Sequence, residues 1–90
     1  MIASKVEIKE YKKGSIIYRQ GDPSDAFYCL VSGRILAYGT DARGHHHHVE
    51  YLYRGMYFGI VSLLTGGTHS LNFEALNDSV VIRIPKESFD

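Results

Sequence analysis

The chain has 90 residues, 44% of them hydrophobic and 22% charged, with ten basic and ten acidic side chains and a formal net charge of zero. That length holds one small soluble domain, which buries only about 60% of its unfolded surface. The balanced charge argues against a face built for a nucleic acid backbone or a polybasic membrane patch, both of which need an excess of cations. Cys29 is the single cysteine, so no internal disulfide forms, and its apolar run Phe27–Val31 reads as core. No stretch approaches the roughly 18 apolar residues of a membrane span. Ile2-Ala3-Ser4-Lys5 is too short and polar for a secretory signal. The expected location is the cytoplasm.

Val6–Tyr11 alternates apolar and polar residues, the pattern of a strand with one wet face. Lys13-Gly14 turns the chain into a second strand, Ser15–Tyr18. Gln20–Asp25 is a turn cluster in which Gly21 supplies permissive backbone, Pro23 fixes φ, and Asp22 and Asp25 cap nearby N–H groups. Ala26–Ser32 is nearly continuous apolar sequence, which predicts a strand buried on both faces. Gly33 interrupts it, and Arg34–Gly39 resumes. Thr40–Gly44 is a hairpin turn, and His45–Tyr53 returns as the partner strand. Tyr51, Tyr53 and Tyr57 are expected as core and rim aromatics, and Arg19 and Arg34 as surface charges.

The next stretch, Gly55–Ala75, reads as a turn, a short apolar helix over Ile60–Leu64, and a glycine loop at Gly66-Gly67. Gly66 suits the left-handed position just past a helix end. Gly59 lets the backbone come close to something at the helix start, where free N–H groups suit an anion. His69–Leu76 and Ser79–Ile84 form a last hairpin around Asn77-Asp78. Pro85–Asp90 looks like the opening of a helix. The pattern is mainly β: an eight-stranded antiparallel β-roll or jelly roll with one short internal helix and a truncated C-terminal helix. Residues 1–90 read as one domain.

The run His45–His48 enters a strand. In a regular strand His46, His48 and Glu50 share a face and make a candidate metal set. The strand is similar to a cupin metal motif, although the acidic residue follows the histidines too soon. The alternative is a solvated hairpin edge without metal.

Gly14-Ser15-Ile16-Ile17, Gly21–Asp25, Tyr28, Leu30 and Gly33 resemble the front half of a cyclic nucleotide-binding domain. Asp41–Gly44 resembles that family's central hairpin. Phe58-Gly59, Ser62-Leu63-Leu64 and Glu74-Ala75-Leu76 resemble its phosphate-binding cassette and the strand after it. The resemblance implies a β-roll flanked by helices that senses a ligand in transcription regulators of the catabolite-activator type, in kinases and in channels.

It also implies a ligand site at Phe58, Gly59, Ile60, Val61, Ser62, His69 and Ser70. In the family a glutamate follows Phe-Gly and holds the ribose, and an arginine holds the cyclic phosphate. Ile60 stands in the first place and His69 in the second, with the Ser70 hydroxyl beside it. Losing one partner of a buried charge pair costs about 2–5 kcal/mol. Losing a hydrogen bond to a charged group costs about 1.5–3 kcal/mol. Together they weaken a cyclic nucleotide on the order of a thousandfold, at about 1.4 kcal/mol per tenfold. His69 is a conditional cation, with a reference pKa of about 6.5.

The implied function is regulatory sensing of a cyclic nucleotide or other small anionic effector through a degenerate cassette, not catalysis, with no cofactor assigned. The expected partners are flanking helices or an output domain of a larger protein, and a homodimer of the full protein. No nucleic acid or membrane contact is expected of this domain itself. The lid helix and output domain of such a regulator are absent from these 90 residues, so the expectation is either a fragment or a stand-alone sensor. A ligand-free structural or dimerisation module is the alternative, with the cupin-type metal protein behind it.

Overall fold

The computed structural model describes residues 6–88, apart from the side chains of His48 and Ser88. Eight strands run as β1 (Glu7–Tyr11), β2 (Ile16–Tyr18), β3 (Ala26–Ser32), β4 (Ile35–Thr40), β5 (His46–Leu52), β6 (Tyr57–Phe58), β7 (Asn72–Ala75) and β8 (Ser79–Pro85). One helix, α1 (Ile60–Thr65), separates β6 from β7, and a 3-10 turn covers Lys86–Ser88. The expected C-terminal helix is this single turn as far as residue 88; Phe89 and Asp90 lie outside the described residues. No helix among the described residues is long and apolar enough to cross a membrane.

Two four-stranded sheets carry the fold, in the orders β1-β8-β3-β6 and β2-β7-β4-β5. Every pairing is antiparallel. The inner faces meet in a core with Leu30, Ile35 and Val81 fully buried. This is the antiparallel roll that the spacing of strands and turns predicts.

β3 departs from its sequence pattern. Ala26, Tyr28 and Leu30 point into the core, but Phe27 and Cys29 are only half-buried. A single sheet face packs on β3, so its continuous apolar run does not produce two buried faces. Cys29 accordingly lies outside the core, paired across the strands with Ile82 and Tyr57. β7 is also shorter than the predicted His69–Leu76. His69 leaves the sheet because its N–H donates to the Asp22 carbonyl at 2.9 Å, while its carbonyl accepts the Gly21 N–H at 2.8 Å.

A bulge between β4 and β5 changes the side-chain alternation. Ala37 faces Glu50 and Gly39 faces His47, so two steps on β4 match three on β5. The extra residue switches every β5 side chain beyond it to the opposite face. Glu50 and His47 therefore share the inner face, and His46 packs outside against Tyr38, ring centroids 4.3 Å apart. His47 lies over Gly39, where a Cβ would stand 2.5 Å from the imidazole.

Gly33 is the tightest glycine. Its φ is +94°, and an added Cβ would lie 2.2 Å from Ser79 Oγ and 2.7 Å from Ser79 Cα. Gly14 has a similar φ of +87° and nothing within 4 Å. Gly14→Ala should cost the left-handed backbone penalty alone, about 1–2 kcal/mol. Gly33→Ala should cost about 1–3 kcal/mol more, because Ser79 backbone must shift. Urea unfolding of the two variants checks this, and equal losses would refute the steric part.

Candidate functional site

The site is built on the one helical interruption of the strands. Gly59, at φ 85°, turns the chain from β6 into α1. The helix ends at Gly66, φ 72°, as its sequence predicts. There the Gly66 N–H donates to Leu63 O and the Gly67 N–H to Ser62 O, both at 3.2 Å, the pattern of a Schellman cap. Within α1, Leu63 is buried, Ile60 and Ser62 are half-buried, and Val61 and Leu64 face outward.

The loop after α1 is tied to the β2–β3 turn. Besides the two His69 bonds, the Ser24 N–H donates to Gly67 O at 3.2 Å, and Pro23 bridges Thr68. Asp22 Oδ2 accepts the Arg19 N–H at 2.9 Å, the turn role its sequence context predicts. Asp25 Oδ2 lies 3.3 Å from Arg83, whose other amino group sits 2.9 Å from Glu7. This turn is thus the fixed base on which the His69 loop rests.

A cavity of about 250 Å³ opens between α1, this loop and the inner ends of the strands. Phe58, Gly59, Ile60, Val61 and Ser62 line it from the β6–α1 segment, and His69 and Ser70 from the loop before β7. All seven residues singled out from the sequence thus meet at one cavity. Sequence reasoning missed other walls: Tyr18, Leu52, Met56, Leu71 and Phe73. Tyr18 and Leu52 come from β2 and β5, while Met56, Leu71 and Phe73 flank the cavity-lining segments in sequence; no local motif marks any of them. Tyr57, expected as core or rim, lines the cavity but is exposed, as are Tyr51 and Tyr53. The latter pair flank Arg34, whose guanidinium sits 4.8 Å from the Tyr53 ring and 5.8 Å from Tyr51.

His69 is 3% exposed and stacks on Tyr18, ring centroids 3.5 Å apart at 18°. Burial holds its imidazole below the ordinary histidine range, and the charges of Asp22 and Asp25 oppose that only in part. It is therefore a neutral ring at pH 7. Tyr18 is the hub of an aromatic floor, 4.6 Å from Phe73, 5.5 Å from Tyr28 and 6.1 Å from Phe58. Its hydroxyl is buried without a hydrogen-bond partner, and burial raises its pKa, so it stays protonated. A Cβ on Gly59 would come within 3.3 Å of that oxygen, so the glycine permits the helix start to sit over the Tyr18 ring.

The candidate metal set His46, His48 and Glu50 is not assembled as the alternation predicts. The bulge sends His46 to the Tyr38 face while Glu50 lines the cavity. The His48 side chain lies outside the described structure. No group of three or more His, Cys, Asp or Glu side chains placed to hold a metal occurs among the described residues.

Comparison with known proteins places this geometry. The family model described as "Cyclic nucleotide-binding domain" matches residues 8–90. The cAMP-dependent protein kinase regulatory subunit of Dictyostelium discoideum is 28% identical over 99% of this chain and 28% of its own length. That of Aspergillus niger is 34% identical over 98% of this chain and 21% of its own. The chain therefore spans under a third of these relatives. The crystal structure of Thermus thermophilus Catabolite Activator Protein superposes with a TM-score of 0.89 at 28% identity, over 98% of this chain and 41% of that one. An antiparallel β-roll interrupted by a glycine-bounded helix, matched along almost its whole length, makes this chain a member of the cyclic nucleotide-binding domain family.

Proposed function

We propose that the chain is the ligand-sensing module of a larger regulatory protein, and that its cassette keeps the family's backbone while lacking its two charged ligand contacts. The observation that carries this reading is the position of Ile60 and His69. Both line the one cavity framed by α1, where the family's glutamate and arginine are expected. Ile60 cannot accept the ribose hydroxyl, and the buried His69 lacks the arginine's permanent charge. Phe58, Gly59, Val61, Ser62 and Ser70 supply the remaining walls of the ligand site. The module acts through segments of the full protein that move when the cavity fills, and it is not itself a catalyst.

At pH 7.5 cyclic AMP and cyclic GMP should bind weakly. Replacing Ile60→Glu returns a hydrogen bond from ribose to a charged group, worth about 1.5–3 kcal/mol. Calorimetric titration should therefore find cyclic AMP binding tightened by about tenfold or more. Tight wild-type binding that Ile60→Glu leaves unchanged would remove the degenerate-cassette reading.

A pH dependence follows from His69. The free imidazole is neutral at pH 7.5, and a bound anion stabilises its protonated form, so anion binding takes up a proton. Lowering the pH to 5.5 should tighten cyclic AMP, even though Glu50 shares the cavity and Asp22 and Asp25 lie near the ring. His69→Gln should abolish that pH trend. Equal wild-type affinity at both values would contradict the conditional-cation role.

The ligand-free structural module remains the second reading, favoured by the Tyr18–His69 stack that packs both rings with little exposure. Thermal-shift measurements with cyclic AMP, cyclic GMP, other nucleotides and divalent metals separate the two: stabilisation by nucleotides supports sensing, and silence supports the structural module.

A further inference from the structure

We infer that at neutral pH the cavity selects an uncharged heteroaromatic ring compound bearing hydrogen-bond donors, and discriminates against the same compound carrying a phosphate. The inference rests on the sensing role proposed above and specifies the chemistry of its ligand.

The charge around the cavity runs against an anion. Neither lysine nor arginine lines it among the described residues, and its one permanently charged side chain is the carboxylate of Glu50. Glu50 alternates with the buried Leu52 and lies opposite the buried Ala37, so regular pairing places it on the inner face; the bulge beyond it turns His46 outward. A carboxylate accepts hydrogen bonds and offers none. It suits amine, imino or hydroxyl donors on a neutral ligand, and it repels phosphate oxygens, which have no proton to give at this pH. His69 does not offset it, because its buried ring is neutral and lies flat on Tyr18.

The lining of the cavity favours an apolar ring system. Its floor is Tyr18, Phe58 and Phe73, with the two phenylalanine rings stacked at 5.0 Å and 13°. Phe58 also stacks on Tyr28, and Tyr18 on His69, so these buried rings give the ligand an apolar aromatic floor that suits a ring compound more than a charged chain. Ile60 adds an alkyl wall where a polar ribose contact would otherwise sit, and the hydroxyls of Ser62 and Ser70 remain for the ligand's polar edge. The volume of about 250 Å³ is near the lower end of the roughly 300–1,000 Å³ typical of small-molecule sites. A compact neutral molecule fills such a space with less exposed polar surface than a nucleotide does.

Adenosine and cyclic AMP form a matched pair of probes, sharing base and sugar and differing in the charged phosphate. Isothermal titration of the 90-residue chain at pH 7.5 should find adenosine binding at least tenfold tighter than cyclic AMP. Glu50→Gln, at an exposed position that folding tolerates, should weaken adenosine and strengthen cyclic AMP, narrowing the ratio at least threefold. Cyclic AMP binding as tightly as adenosine, or tighter, overturns this inference and leaves the sensing role standing. An adenosine preference that Glu50→Gln leaves unchanged overturns the part assigned to the carboxylate. Absence of binding by adenosine, guanosine and cyclic AMP at millimolar concentration overturns both the inference and the sensing role.

Discussion

Tyr18 is the contact on which the two sheets and the loop after α1 jointly depend. Its ring meets Phe73 from its own sheet, Tyr28 and Phe58 from the facing sheet, and His69 from the loop after α1. Aromatic pairs of this kind add about 0.5–1.5 kcal/mol each beyond the area they bury. In a domain whose whole stability is only about 5–15 kcal/mol, one ring with four such neighbours is a large share. The same ring carries a hydroxyl buried without a partner. An unsatisfied group of this kind costs about 1–3 kcal/mol. The hub is therefore strong in packing and compromised in polarity at its hydroxyl.

The backbone around the hub is conventional by comparison. The αL glycines at both ends of α1 set the entry and exit of the helix. The bonds from Gly21, Ser24 and His69 then lock the following loop onto the β2–β3 turn. Those bonds need only peptide groups, so they survive changes in the side chains that face a ligand. A family scaffold can in this way keep its shape while its chemistry drifts. Here an isoleucine and a buried imidazole, Ile60 and His69, line the cavity beside the aromatic floor.

His46 illustrates how a small backbone irregularity changes chemistry at a distance. One extra residue in β5 sends His46 outside onto Tyr38, while Glu50, in regular register with the buried Leu52, stays on the cavity side. The same irregularity dismantles the metal set that regular alternation suggests. A bulge is a property of the pairing between two strands, and neither strand's own pattern announces it.

Local chemistry made much of the fold legible in advance. The turn cluster at Gln20–Asp25, the helix over Ile60–Leu64 and its stop at Gly66 follow from constraints within a few residues. β1 forms as its alternation predicts, but Ile8 is exposed, so its apolar side is not covered among the described residues. Phe58, Gly59 and Ser62, singled out through the family resemblance, line one cavity with Ile60, Val61, His69 and Ser70. Contacts between distant strands decided the rest. Cys29 sits outside the core because no second layer among the described residues covers that face of β3, which its apolar run cannot reveal. His69 became a neutral stacked ring because Tyr18, 51 positions earlier, lies beneath it. A sequence states which groups are present and which backbone turns they allow. Whether a histidine is charged, or a glutamate faces a cavity, depends on desolvation and register, and those exist only once the two sheets have closed on each other.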